Sequence, residues 1–180
     1  MHCSAQRTSE EGRFDFSRGR VSCDIIDASG PHGRVAKNIV LELGRWLDQD
    51  RFDINFANFA VRTPSGVRSP DVVVDAMSPR RDLSTSTPVV IAEVLTPSTA
   101  GKDFAEKLEG YTAVDTLQTY LIWSRYEPRA WVWARGADRS WPKHPFELPG
   151  RNGTVALGGL GVELPIAAIF RGIPDAPTIE

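Results

Sequence analysis

The stretch Pro88-Val89-Val90-Ile91-Ala92-Glu93-Val94-Leu95 constrains this chain more than any other. As a strand it is apolar on both faces except at Glu93, a pattern that belongs to a central strand covered from both sides. A lone ionised carboxylate in that setting costs about several kcal/mol unless it is paired, protonated or bound to a cation. Glu93 therefore asks for a partner. Asp71 opens the preceding strand, Pro70 to Ala76, directly after Pro70, and one polar loop, Ser78 to Thr87, joins the two. If these strands are neighbours, both carboxylates converge at one sheet edge or bend. Two hard oxygen ligands with positions left open for water and phosphate are a magnesium arrangement. Such an ion polarises a phosphoryl oxygen and lowers the pKa of a bound water. The competing reading gives Glu93 an arginine partner and makes Asp71 a turn cap, and spacing alone leaves the two level.

A lysine completes the chemistry by orienting the attacking water and offsetting charge in the transition state. Lys107 is the candidate, on a helix predicted over Lys102 to Val114 with Phe104, Leu108 and Tyr111 on one stripe. Asp103 stands one turn before it, so an ordinary i,i+4 surface pair is the plain alternative. Lys102 is placed in solvent at the helix start.

Around this centre the punctuation predicts the rest. Residues 1 to 12 read as a polar arm without a signal-peptide core, and residues 13 to 180 as one domain. Arg13 to Gly19 and Arg20 to Asp27 are two short strands around Arg18-Gly19. Ala28-Ser29-Gly30-Pro31 starts a helix over about residues 31 to 49, with Val35, Ile39, Leu43, Trp46 and Leu47 at helical spacing. Phe52 to Val61 alternates as one strand, and Thr63-Pro64-Ser65-Gly66 is a turn. Thr96-Pro97-Ser98-Thr99 breaks the central strand, and Thr119 to Trp123 is a further one. The segments 130–135, 141–148, 154–157 and 162–170 form a meander that ends in a short helical turn. The order predicts a mixed α/β or α+β sandwich around one sheet.

Composition sets the outer limits. The net charge of −2 excludes a generic cationic coat for nucleic acid. Arginine supplies 17 of the 21 basic residues, which suits bidentate phosphate contacts. The two cysteines, Cys3 and Cys23, form neither a zinc spacing nor a disulfide framework, and no apolar run approaches membrane-helix length. A reducing cytoplasmic setting without membrane insertion is expected.

The assembled pattern resembles a known family. Ser69-Pro70-Asp71-Val72-Val73-Val74, then Val90 to Thr99, then Asp103, Lys107 and Tyr111 resemble the Uma-type restriction endonucleases of the PD-(D/E)XK nuclease superfamily. Gly30-Pro31-His32 is similar to that family's Gly-x-His helix entry. Phe14-Asp15-Phe16-Ser17-Arg18-Gly19 is similar to its first strand turn, and Gly159 to Leu164 to its Gly-Leu strand. The resemblance implies a restriction-endonuclease-like αβββαβ core with a β-rich C-terminal extension. It also implies that Asp71, Glu93 and the backbone carbonyl of Val94 ligate Mg²⁺, with Mn²⁺ as a substitute, and that Asp15 is an outer ligand. The superfamily's third charged residue normally lies two after the glutamate, where this chain has Leu95, so the resemblance points to Lys107 instead. Gln118 to Trp123 departs from the family's usual Glu-Tyr-Trp-Leu-Val-Asp.

Other residues carry weaker signals. His32 at a helix entrance is more often a cap or packing residue than a catalyst. Asp75 shares a strand face with Asp71, and a solvated strand end is its plain reading. Arg62, Arg68, Arg80 and Arg81 flank the site and are placed either on phosphates or on a solvated rim, and Tyr111 and Asp103 are further candidates for substrate contact. Trp131 and Trp133 share a strand face that reads as core or subunit contact. The resulting expectation is a Mg²⁺-dependent endonuclease acting on DNA through Asp71, Glu93 and Lys107. The alternative is a silent nucleic-acid-binding or regulatory dimer on the same fold. A homodimer is expected under either, because the β-rich C-terminal half offers strands and tryptophans to cover.

Overall fold

The computed structural model describes residues 12–17, 19–25, 30–78, 83–95 and 102–174. The arm, Arg18, Ala28-Ser29, Arg80-Arg81 and Thr96 to Thr99 lie outside the described residues. The first hairpin, β1 (Gly12–Ser17) and β2 (Arg20–Ile25), turns at Gly19 with φ 79°, a left-handed conformation that glycine adopts without penalty. Helix α1 spans Pro31–Trp46, with Pro31 at its first turn, where the missing N–H costs nothing. It stops short of the predicted end because Asp48 starts a turn that accepts the amides of Arg51 and Phe52.

The predicted strand over Phe52 to Val61 is two strands: β3 (Phe52–Phe56) and β4 (Ala60–Thr63). Ala57 and Asn58 between them are both left-handed, at φ 49° and 67°, and redirect the chain into a different sheet. Polar-apolar alternation runs on through such a corner, so it hides the break. After the turn come β5 (Gly66–Arg68), β6 (Val72–Ala76), β7 (Ser84–Thr85) and β8 (Pro88–Val94). Helix α2 (Lys102–Thr112) leads to β9 (Thr119–Trp123), β10 (Arg129–Ala134), β11 (Phe146–Pro149), β12 (Thr154–Leu157), β13 (Val162–Pro165) and the short α3 (Ile166–Ile169).

The main sheet has six strands in the order β11-β10-β9-β8-β6-β3. Strand β8 lies at its centre, as the two-sided apolar run requires, and is buried along its length apart from half-buried Val89. It pairs antiparallel with β6 and parallel with β9, the parallel step being bridged by α2. One face carries Val72, Val74, Val90, Ala92, Val94, Leu121 and Trp123 against α1, β12–β13 and α3. The opposite face carries Val73, Ile91, Tyr120 and Ile122 against Tyr111, Val114 and Leu117. Val73 of β6 and Ile91 and Glu93 of β8 thus point to the α2 side.

A second sheet, β2-β1-β5-β4-β7, departs from the single-sheet expectation, and β12–β13 form a separate pair. It joins two local hairpins, β1–β2 and β4–β5, through the long-range β1–β5 pairing, which no local periodicity announces. Trp123 and Trp133 are buried in the protein's own core, Trp131 and Trp141 pack partly buried against it, and Trp46, at the end of α1, is 64 % exposed. No helix among the described residues is long and apolar enough to cross a membrane.

Candidate active site

Asp71 and Glu93 stand at the same end of adjacent antiparallel strands, just beyond the Val72–Ala92 pair. Asp71 Oδ2 accepts the Val94 amide at 2.8 Å, which ties its carboxylate to the neighbouring strand. The Nε2 of His32, in the first turn of α1, lies 3.3 Å from the same oxygen. Both residues are 5 % exposed.

Glu93 meets α2. Lys107 Nζ donates to Glu93 Oε2 at 3.1 Å, and it also lies 3.9 Å from Asp15 Oδ2. Asp15 comes from β1 through the second sheet, where β1 pairs with β5. Its Oδ1 accepts the Ser69 amide at 2.7 Å, and its Oδ2 is 3.6 Å from Arg68 Nη1. Tyr111, one turn after Lys107 and fully buried, presents its ring to Tyr120 and its hydroxyl toward Glu93. The cluster thus gathers groups from β1, the α1 entrance, the β6–β8 pair and α2.

Burial holds the Glu93 carboxyl above the usual glutamate range; Lys107 pulls it down, and the Asp71 charge pushes it up again. The Tyr111 hydroxyl is pushed well above the usual tyrosine range by burial first, then by the Glu93 charge. Both directions come from negative charge crowded into a dry place.

Sequence reasoning had named Asp15, Asp71, Glu93, Lys107 and Tyr111, and these five stand together. Lys107 is 5 % exposed, so the surface pairing with Asp103 is not what holds it; the Asp103 side chain itself is outside the described residues. Arg68 is not on a solvated rim. It is 2 % exposed, against Asp15. Arg62 is exposed on β4, and among the described residues no ion pair joins it to the cluster. Asp75 is wholly buried instead of solvated, its Oδ1 accepting Thr87 Oγ1 at 3.3 Å. His32, weighted as a cap, instead touches Asp71; its place after Gly30-Pro31 was the signal for it.

Among the described residues no three His, Cys, Asp or Glu side chains converge closely enough to hold a metal ion by themselves. Two carboxylates nevertheless repel across the strand pair, and Glu93 Oε1 is buried with no hydrogen-bond partner. An unpaired anionic oxygen beside a second carboxylate fits a hard cation that keeps several waters and takes few protein ligands.

The family model described as "Putative restriction endonuclease", Uma2, matches residues 3–167. An uncharacterized protein of Synechocystis sp., sll1609, is 27% identical over 149 residues, which are 79% of this chain and 82% of that one. The fold is similar to the crystal structure of a "putative nuclease belonging to DUF820" from Anabaena variabilis. That likeness has a TM-score of 0.70 at 14% identity, over 87% of this chain and 89% of that chain.

Proposed function

Since the chain belongs to the Uma2 family, described as putative restriction endonucleases, and has a restriction-endonuclease-like fold, we propose that it is a divalent-metal-dependent endonuclease hydrolysing DNA phosphodiester bonds. One observation carries the reading: Asp71 and Glu93 on paired strands, with Lys107 buried against Glu93 and within 3.9 Å of Asp15. Asp71, Glu93 and the carbonyl of Val94 would hold Mg²⁺, or Mn²⁺ in its place, with Asp15 in support. When bound, the ion polarises the scissile phosphate and lowers the pKa of a water.

The chain's own groups do the rest. Lys107 orients the attacking water and offsets negative charge gathering on the phosphate. The backbone amide of Val94 keeps the Asp71 carboxylate in place. Arg68, buried against Asp15, positions that carboxylate instead of reaching DNA. Arg62, exposed, remains the candidate for phosphate contact, with Tyr111 and Asp103 of α2 as further candidates for substrate contact. The reading takes residues 13–180 as one domain, at work in the cytoplasm as a homodimer. The silent binding module would be favoured by a solvated Lys107 or an arginine on Glu93; the buried Lys107–Glu93 pair supports the catalyst.

The test is cleavage of plasmid and single-stranded DNA with Mg²⁺ or Mn²⁺, wild type against Glu93→Ala. Metal-dependent cutting that falls by at least about 10²-fold in the variant is expected. Equal cutting by the variant would remove the site, and DNA binding without cutting by the wild type would leave the binding module.

A further inference from the structure

Strand β3 ends the six-stranded sheet, pairing with β6 on one side only. An unpaired edge is a template for another strand unless the chain blunts it with proline, lysine, a bulge or a cover. The opposite edge is blunted. Strand β11 lies between Pro145 and Pro149, and Glu147 is held by Arg129 at 2.9 Å. Among the described residues no strand pairs with the free edge of Phe52-Asp53-Ile54-Asn55-Phe56, which carries no proline or lysine and a single charge, Asp53.

The sequence of β3 is also self-complementary. Turned about a two-fold axis at Ile54, an antiparallel second copy sets Ile54 against Ile54, Asp53 against Asn55 and Phe52 against Phe56. No like charges face each other in that register. Asn55 is half-buried, and the partner's Asp53 would stand directly opposite it in this register. Exposed apolar groups sit at both ends of the strand. Phe56 is 57 % exposed at one end, and Met77, 48 % exposed, is tied by its amide to Arg51 at the other. The two-fold brings the start of one strand to the finish of its mate, so Phe56 of one copy reaches the Phe52–Met77 end of the other. Ile54 and Val40, both half-buried, extend the apolar rim.

We infer that β3 is the dimerisation edge of this protein, and that a second copy of the chain pairs with it antiparallel about Ile54 to make one continuous twelve-stranded sheet. The strand pairing supplies register, and the flanking Phe56 and Met77 supply apolar area. Asp53 opposite Asn55 supplies the selectivity for self. This assignment stands apart from the nuclease reading, since nothing in it depends on Asp71, Glu93 or Lys107.

Sedimentation equilibrium of the full chain over a micromolar range tests it without any activity assay. The wild type is expected to dimerise. Asn55→Asp sets carboxylates against Asp53 twice and is expected to raise the dissociation constant about tenfold or more. Adding Asp53→Lys to that variant restores oppositely charged pairs and is expected to recover the dimer. Phe56→Lys, at an exposed position, gives an independent weakening where the fold is not at stake. Ile54→Cys, in a chain with Cys3 and Cys23 changed to Ser, is expected to form an intermolecular disulfide under mild oxidation. A wild type that is monomeric throughout overturns the proposal. So does a dimer indifferent to Asn55→Asp and Phe56→Lys and not cross-linked through position 54.

Discussion

Glu93 and Lys107 are each made tolerable by the other. Both are buried, and they meet at 3.1 Å. Removing one partner of a buried pair leaves an uncompensated charge, a loss on the order of 3 kcal/mol. Lys107→Met is therefore expected to lower unfolding stability by about that amount at neutral pH in urea titrations. Its single-turnover cleavage is expected to fall by about 10²–10⁴-fold. A loss of rate without loss of stability would place Lys107 outside the buried pair. Glu93 was legible because it contradicts its strand, and Asp71 because it opens the preceding strand directly after Pro70. Lys107 was ambiguous because an aspartate one turn earlier offers it a surface partner. Arg68 was misread for a different reason: its burial depends on β1 crossing beside β5, which joins residues about fifty positions apart in sequence.

Elements hold one another through polar groups as well as through the core. Helix α3 has four residues, too few to satisfy its own terminal carbonyls. Asn38 of α1, 8 % exposed, donates its side-chain amide to Ile169 O at 2.8 Å and to Arg171 O at 3.1 Å. Arg151 adds bonds to Phe170 O and Ile173 O. Asn38→Ala strips two shielded carbonyls of their donor, a cost of about 1–3 kcal/mol. Hydrogen exchange is expected to quicken over residues 166–173 and to stay slow in β8 and β9; unchanged exchange at 166–173 would show that α1 does not clamp this segment. Legibility at this scale follows the range of the signal. The helical stripe Val35-Ile39-Leu43 and the apolar run of β8 are local and were readable. The corner at Ala57-Asn58 was not, because two left-handed residues leave the alternation of Phe52 to Val61 intact. The two-residue β7 is a strand through its parallel pairing with β4, Thr85 beside Val61.

For the molecule as a whole, the buried acidic centre makes stability depend on pH, and the proposed divalent ion would act on it in the opposite sense. Glu93 has its pKa raised in the folded state by burial, with Asp71 adding to the shift against the pull of Lys107. Between its ordinary value of 4.5 and the raised one, the folded chain keeps a proton that the unfolded chain releases. Stability from this group is therefore full below the ordinary value and is lost as pH rises through the raised one. A divalent ion held as proposed would reverse the balance, because it would bind the ionised pair that the proton otherwise occupies. Stabilisation by the ion is then weak in acid and grows toward neutral pH, reaching about 2.7 kcal/mol at a hundredfold excess over its dissociation constant. Thermal unfolding of the wild type and Glu93→Gln, each with chelator and with Mg²⁺, separates these contributions from every other titrating group. With chelator, the stability of the wild type relative to the variant is expected to decline as pH rises from the ordinary glutamate range, then level off. With Mg²⁺, the wild type is expected to recover and the variant to gain little. A difference that stays flat across that pH range would show Glu93 to be unburdened. Equal gains from Mg²⁺ in both proteins would place the ion elsewhere.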